Sequence, residues 1–204
     1  MNWGEASERL RNERGVGDYQ PLEPFVAERT LDRSLWYERQ MVVRYAQGAE
    51  VDNTCCIWEG NLPLQAGPPP HIHFYEHEFF YVLKGGVRAW VDGVQYDATE
   101  NSLLFLPCGR MHWFVSTSED TRLLSFTVTA NREFPNINRS VDLFTLIGQP
   151  AGALSLPPEG LEEEMPDPRE ILGLVHEIGS DFPELLDVGW RRGFTDLDQS
   201  SSEG

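Results

Sequence analysis

From Arg39 to residue 132 the chain is a succession of short apolar runs separated by turn residues: RQMVVRYA, TCCIWEG, HIHF, EFFYVLKGG, VRAWVDG, SLLFLP, MHWFVS and TRLLSFTVT. Each run is strand-sized, and their close spacing favours an antiparallel sandwich or barrel over alternating strand and helix units. Val87, Ala89 and Val91 alternate with Arg88 and Trp90, the period of two that marks a half-buried strand. Gly85-Gly86 and Asp92-Gly93 supply the positive φ that tight hairpins need, so the strands around them form a meander. EFFYVL is apolar on both faces, which predicts that its outer face is covered by the N-terminal arm or by a second subunit; a homodimer is expected.

The flanks have a different texture. Residues 1–38 are polar and punctuated by Pro and Gly, and read as an N-terminal arm; residues 39–132 are the all-β barrel; residues 133–204 are an extension with helices and an acidic tail. Asp167-Pro168-Arg169-Glu170 places a capping carboxylate, a proline at the first helical position and a glutamate three residues after the cap. Ile171, Leu174, Val175 and Ile178 then form one apolar stripe and Gly179 can end the helix, which is expected to pack on the barrel. The last residues, TDLDQSSSEG, are expected to fray.

Composition narrows the function. A chain of 204 residues suits one domain, and a formal net charge of −17 argues against nucleic acid, whose phosphates require basic patches. No apolar run approaches the roughly 20 residues needed to cross a bilayer, and MNWGEASERLRNERG has no secretory signal pattern, so a soluble cytoplasmic protein with no membrane partner is expected. Cys55, Cys56 and Cys108 are read as reduced thiols. The single lysine, Lys84, leaves little room for Schiff-base chemistry and no Walker-type phosphate loop.

Three of the five histidines fall within seven residues, in HIHFYEH, beside two glutamates. Buried imidazoles are costly unless something satisfies their nitrogens, and a metal ion does so. His71 and His73, two apart on a segment kept extended by Pro68, Pro69 and Pro70, point to one face. Glu78 opens the next strand, with Phe80 and Val82 on its face, and His112 follows a Pro107/Gly109 turn and opens another. Glu76 and His77 are placed in the intervening turn, facing solvent; Cys108 is read as a turn residue and His176 as a surface residue. Phe74, Tyr75, Phe79, Phe80, Tyr81, Trp113 and Phe114 are expected to be mainly core, with Phe80 and Phe114 lining the cavity.

The run H-I-H, four residues, Glu78, six residues, Gly85 resembles the first cupin motif, and P-C-G-x-x-H resembles the second. The resemblance implies a cupin double-stranded β-helix, a jelly-roll barrel, in which His71, His73, Glu78 and His112 bind one metal ion. Three positions depart from the pattern without removing a ligand: Gly67 is closer to His71 than usual, Asn101 stands where the second motif begins with glycine, and Ser116 replaces its final asparagine. The stretches YERQMVVRYAQGAEVDNTCCIWEG, HIHFYEHEFFYVLKGGVRAWV and LFTLIGQPAGALSLPP further resemble the single-barrel quercetin 2,3-dioxygenase-like branch.

That branch implies a divalent Fe, Ni, Co, Mn, Cu or Zn ion, a small-molecule substrate and dioxygen. In its flavonol reaction a hydroxyl meets the metal, Glu78 takes or shares the proton as general base, dioxygen attacks, and the central ring opens with loss of carbon monoxide. Two other readings stay open at this stage. One is a non-oxidative metal-dependent isomerase, cyclase or lyase of a secondary metabolite, and the other is a non-catalytic ligand-binding cupin.

Overall fold

The alternating runs become strands of three antiparallel sheets in a computed structural model that describes residues 2–15, 22–130, 144, 145, 147–161, 180 and 181. In chain order the strands are β1 (Ser34–Tyr37), β2 (Gln40–Ala46), β3 (Cys55–Leu62), β4 (Ile72–His73), β5 (Glu76–Lys84), β6 (Gly86–Val91), β7 (Val94–Thr99), β8 (Leu103–Leu106), β9 (His112–Ser116), β10 (Thr121–Thr129), β11 (Gln149–Pro150) and β12 (Ser180–Asp181). One sheet runs β11-β1-β2-β3-β10-β5-β8 and a second runs β7-β6-β9. A His71–His112 bridge, with backbone hydrogen bonds of 2.9 and 3.0 Å in both directions, joins the segment carrying β4 to β9, and β4 pairs with β12. This is the antiparallel all-β architecture that the pattern predicts and the jelly-roll barrel that the resemblance implies.

Alternation sends every second side chain of β5 inward: Glu76, Glu78, Phe80 and Val82 are buried, while His77, Phe79, Tyr81 and Leu83 are half-buried. Phe80 meets Phe114 of β9 edge to face at 4.8 Å, joining the two sheets, and Val87, Ala89, Val91, Leu104, Leu106 and Leu123 complete the core around them. Truncating a buried phenylalanine such as Phe80 to alanine costs about 3–5 kcal/mol. The expected aromatic core is therefore too large. Of the seven residues only Phe80 and Phe114 are buried, Phe74 is 45% exposed, Tyr75 is half-buried in the bend before β5, and Phe79, Tyr81 and Trp113 lie on outer faces. There Phe79 stacks on Phe105 at 4.7 Å and Trp113 on Trp90 at 5.3 Å.

Other elements were not foreseen. The seven-stranded sheet extends past both ends of 39–132, because β1 pairs with β2 and β11 pairs with β1. Within the arm, Trp3–Glu13 forms a helix (α1) whose first amides, those of Gly4 and Glu5, donate to the Asn2 side chain. The tight turn at Asp92-Gly93 has positive φ at both residues, whereas at Gly85-Gly86 only Gly85 does and Gly86 already belongs to β6. The helix expected after Asp167, with His176, and the fraying tail lie outside the described residues. Among the described residues no helix is long and apolar enough to cross a membrane.

Candidate metal centre

Four predicted residues, His71, His73, Glu78 and His112, converge between the sheets, and one ligand atom from each lies within 4.8 Å of the others. The seven-stranded sheet supplies Glu78 from β5; the opposite side supplies His73 from β4, His112 from β9, and His71, which bridges to His112. All four are buried. Ring centroids of His71 lie 4.9 Å from His73 and 4.4 Å from His112, and Glu78 Oε2 is 3.6 Å from His112 Nε2 and 4.0 Å from His73 Nε2.

The other imidazole nitrogens decide what this cluster can do. His71 Nδ1–H donates to the Pro69 carbonyl at 2.8 Å, His112 Nδ1–H to the Arg110 carbonyl at 2.9 Å, and His73 Nδ1–H to Glu76 Oε1 at 2.7 Å. With each Nδ1 committed as a donor, each Nε2 keeps its lone pair, the tautomer a metal requires. His112 Nε2 is fully buried and makes no hydrogen bond, an expensive condition in a protein interior unless a cation accepts the lone pair. Burial, reinforced by His112 and His73, holds His71 well below the usual histidine range and so in its neutral, ligating form. The donor set of three imidazoles and one carboxylate suits a divalent first-row transition ion.

Two further groups complete the centre. Glu78 Oε1 accepts a hydrogen bond from the Ser125 hydroxyl at 3.3 Å, which fixes the carboxylate while Oε2 faces the histidines. Glu76 corrects the sequence expectation: it is not a solvent-facing turn residue but the first residue of β5, 5% exposed and bonded to His73. Burial raises its pKa. For His73, burial is the largest influence and acts downward, but the Glu76 hydrogen bond and the Glu76 and Glu78 charges turn the net direction upward. The signal for Glu76 was its parity with Glu78, two residues on along one strand. Ser125 left no such signal, since its place beside Glu78 depends on the register between β10 and β5.

His77 is likewise not a solvent-facing turn residue but a half-buried residue of β5; it accepts a hydrogen bond from the Cys108 N–H at 3.0 Å and lies outside the cluster, and Cys108 is a turn residue, as expected. Cys56 is buried, and burial pushes its thiol well up, away from the thiolate a metal would need. The motif departures also have physical explanations. Asn101 sits at φ 65°, a left-handed conformation that asparagine tolerates better than most residues. The Ser116 hydroxyl accepts from the Ala66 N–H at 2.9 Å and donates to the Pro63 carbonyl, tying the loop before His71 to β9. In that loop Gly67 lies so close to β9 that a Cβ would sit 1.9 Å from the Phe114 carbonyl oxygen.

Residues 59–127 match the family described as Cupin domain. The chain is 33% identical over 117 residues to the protein named oxidoreductase iacF from Pestalotiopsis fici, a match covering 56% of this chain and 54% of that one. It is 30% identical over 95 residues to quercetin 2,3-dioxygenase from Bacillus subtilis, covering 47% of this chain and 26% of that one. The chain thus spans about half the length of the first relative and about a quarter of the second. Among solved structures, KdgF from Halomonas sp. superposes with a TM-score of 0.47 at 12% identity, over 54% of this chain and 98% of that one.

Proposed function

Given that the chain belongs to the cupin superfamily, we propose that it is a metal-dependent dioxygenase of a hydroxylated aromatic or enolic small molecule, flavonol-like in chemistry. The observation that carries this reading is the set of three buried histidines with committed Nδ1 atoms, converging with Glu78. The two relatives, named as an oxidoreductase and a quercetin 2,3-dioxygenase, support the oxidative assignment. His71, His73, Glu78 and His112 would hold a divalent Fe, Ni, Co, Mn, Cu or Zn ion, which when bound supplies Lewis acidity toward an enol or phenol hydroxyl and, if redox-active, a route to dioxygen.

The chain's own residues account for binding and proton movement. Phe80, Phe114 and Leu106 form an apolar wall beside Glu78 that favours a planar aromatic substrate and excludes water. The Glu78 carboxylate takes the proton of the substrate hydroxyl, leaving an electron-rich oxyanion for oxidation. Ser125, by holding Oε1, limits rotation of that carboxylate. Deprotonation is the one step assigned to a named side chain.

The test is oxygen uptake by metal-loaded protein with a panel of flavonols and enolic diketones. Consumption that depends on metal and substrate, with Glu78→Gln retaining metal but slowed about 10²–10⁴-fold, is the expected result. Absence of uptake with the whole panel rejects the dioxygenase reading, and a fully active Glu78→Gln rejects the base role. Turnover that proceeds equally without oxygen assigns the site instead to isomerase, cyclase or lyase chemistry.

A further inference from the structure

The geometry points to a second ligand site, on the outer face of the seven-stranded sheet, that takes a small organic carboxylate with an apolar body. The chain has 16 basic against 33 acidic residues, yet its single lysine, Lys84, and two arginines, Arg29 and Arg122, line one cleft of about 290 Å³. Arg122 pairs in register with Asn61 on β3 and Lys84 on β5, and Arg29 reaches the same place from the segment before β1.

The hydrogen-bond pattern leaves donors for a ligand. Arg122 binds Glu59 through Nε at 3.1 Å and Nη2 at 3.0 Å, and no described residue takes its Nη1. Arg29 Nη2 donates to Asn61 Oδ1 at 3.3 Å, while its Nε stands 3.6 Å from the same Glu59 carboxylate and makes no hydrogen bond. One buried carboxylate therefore serves two guanidinium groups, and Tyr45 and Asn61 donate to it as well. Among the described residues Lys84 is paired only with Asp120, and both side chains are more than half exposed, so that pair is screened and readily exchanged for a ligand.

The rest of the lining mixes polar Asn61, Asp120 and Ser155 with Leu62, Leu154 and Leu156. Trp36 Nε1–H holds the far wall by donating to the Ser155 carbonyl at 2.9 Å, and the Ala151 N–H donates to the Ser34 carbonyl at 3.1 Å. Gly152 lies so close to the Trp36 ring that a Cβ would come within 3.1 Å of it. A carboxylate head on Arg122, Arg29 and Lys84 with its hydrocarbon on the exposed Leu154 and Leu156 uses both the cationic and the apolar parts of the lining. Lys84 and Glu78 share β5 and stand six residues, roughly 20 Å, apart; the register shift between Arg122 and Leu123, opposite Lys84 and Val82, breaks the alternation and sets Lys84 beside Arg122 instead of on the inward face of Glu78, so this occupant does not touch the metal centre.

Calorimetric titration of the full chain with hexanoate, hexanol and inorganic phosphate tests the assignment. One hexanoate per chain is expected, bound more tightly than hexanol, which lacks the charge, and than phosphate, which lacks the body. Removing Arg122 would strand the buried Glu59, so the exposed Lys84 carries the mutational arm. Lys84→Gln should weaken hexanoate about tenfold while Lys84→Arg holds it within about threefold, and Leu154→Asp should weaken it by repulsion. His112→Ala should leave hexanoate binding unchanged. Equal binding of hexanol or of phosphate, full affinity in Lys84→Gln, or loss of binding in His112→Ala each overturns the proposal; the last would place hexanoate at the metal centre instead.

Discussion

Replacing Glu76 with glutamine separates the electrostatic role of this residue from its structural one. Glutamine keeps an acceptor oxygen for His73 Nδ1–H, now 2.7 Å from Glu76 Oε1, but removes the negative charge that makes the imidazole a stronger donor. Loss of such a supporting carboxylate typically weakens metal affinity about 10–100-fold, or about 1.4–2.7 kcal/mol. The folding cost runs differently. A carboxylate only 5% exposed pays for its burial, so a neutral amide of the same shape should leave the metal-free protein within about 1 kcal/mol of wild type. Leucine offers no acceptor to the His73 N–H, and loss of that buried hydrogen bond costs about 1–3 kcal/mol of stability as well. Competition of Co(II) or Zn(II) against a chromophoric chelator measures affinity, Co(II) absorption reports the ligand field, and metal-free thermal melts measure stability. Glu76→Gln should lower affinity and alter the Co(II) spectrum at nearly unchanged melting temperature. Wild-type affinity in Glu76→Gln, or affinity losses that track stability losses across both variants, would refute the reasoning.

Gly67→Ala places a methyl group against the Phe114 carbonyl at 1.9 Å; the backbone shift this forces should cost about 1–3 kcal/mol, and calorimetry showing no fall in Tm would contradict that packing. Glu50 accepts a hydrogen bond from Arg33 Nη2 at 2.8 Å, and that bond holds its carboxyl below the usual range. Because the folded pKa is depressed, the stabilisation is present at neutral pH and is lost as pH falls through the depressed value. Glu50→Gln should therefore cost up to about 1 kcal/mol near neutral pH, as expected for a partly exposed pair, and the difference should shrink in melts run in acid; a pH-independent difference would count against it.

The four candidate ligands were legible because their chemistry is written in local spacing. H-x-H on an extended, proline-braced segment fixes two imidazoles on one face, His112 opens β9 beside a recognisable turn, and Glu78, expected to open its strand, is the third residue of β5 but keeps the parity of Phe80 and Val82. Glu76 was misplaced because its fate depends on whether the strand begins at residue 76 or 78, and a shift of that start decides between turn and interior. Ser125 lies 47 residues from Glu78 and reaches it only through cross-strand register, which no local pattern encodes. The same limit applies to secondary structure. Strand β7, VQYDAT, has a single buried residue, and α1 has none, so neither carries the apolar period by which elements are read. Strand β1 was absorbed into the arm because SLWY is short and gains its identity from pairing with β2 and β11.

Metal content of the purified chain, before and after incubation with divalent transition ions, tests the central claim most directly. The account predicts one tightly held ion per chain in the wild type, and loss of that ion from His71→Ala and from His112→Ala while both variants remain folded by circular dichroism. A wild-type chain that retains no ion after incubation, or a His112→Ala variant that holds metal as tightly as wild type, would contradict it.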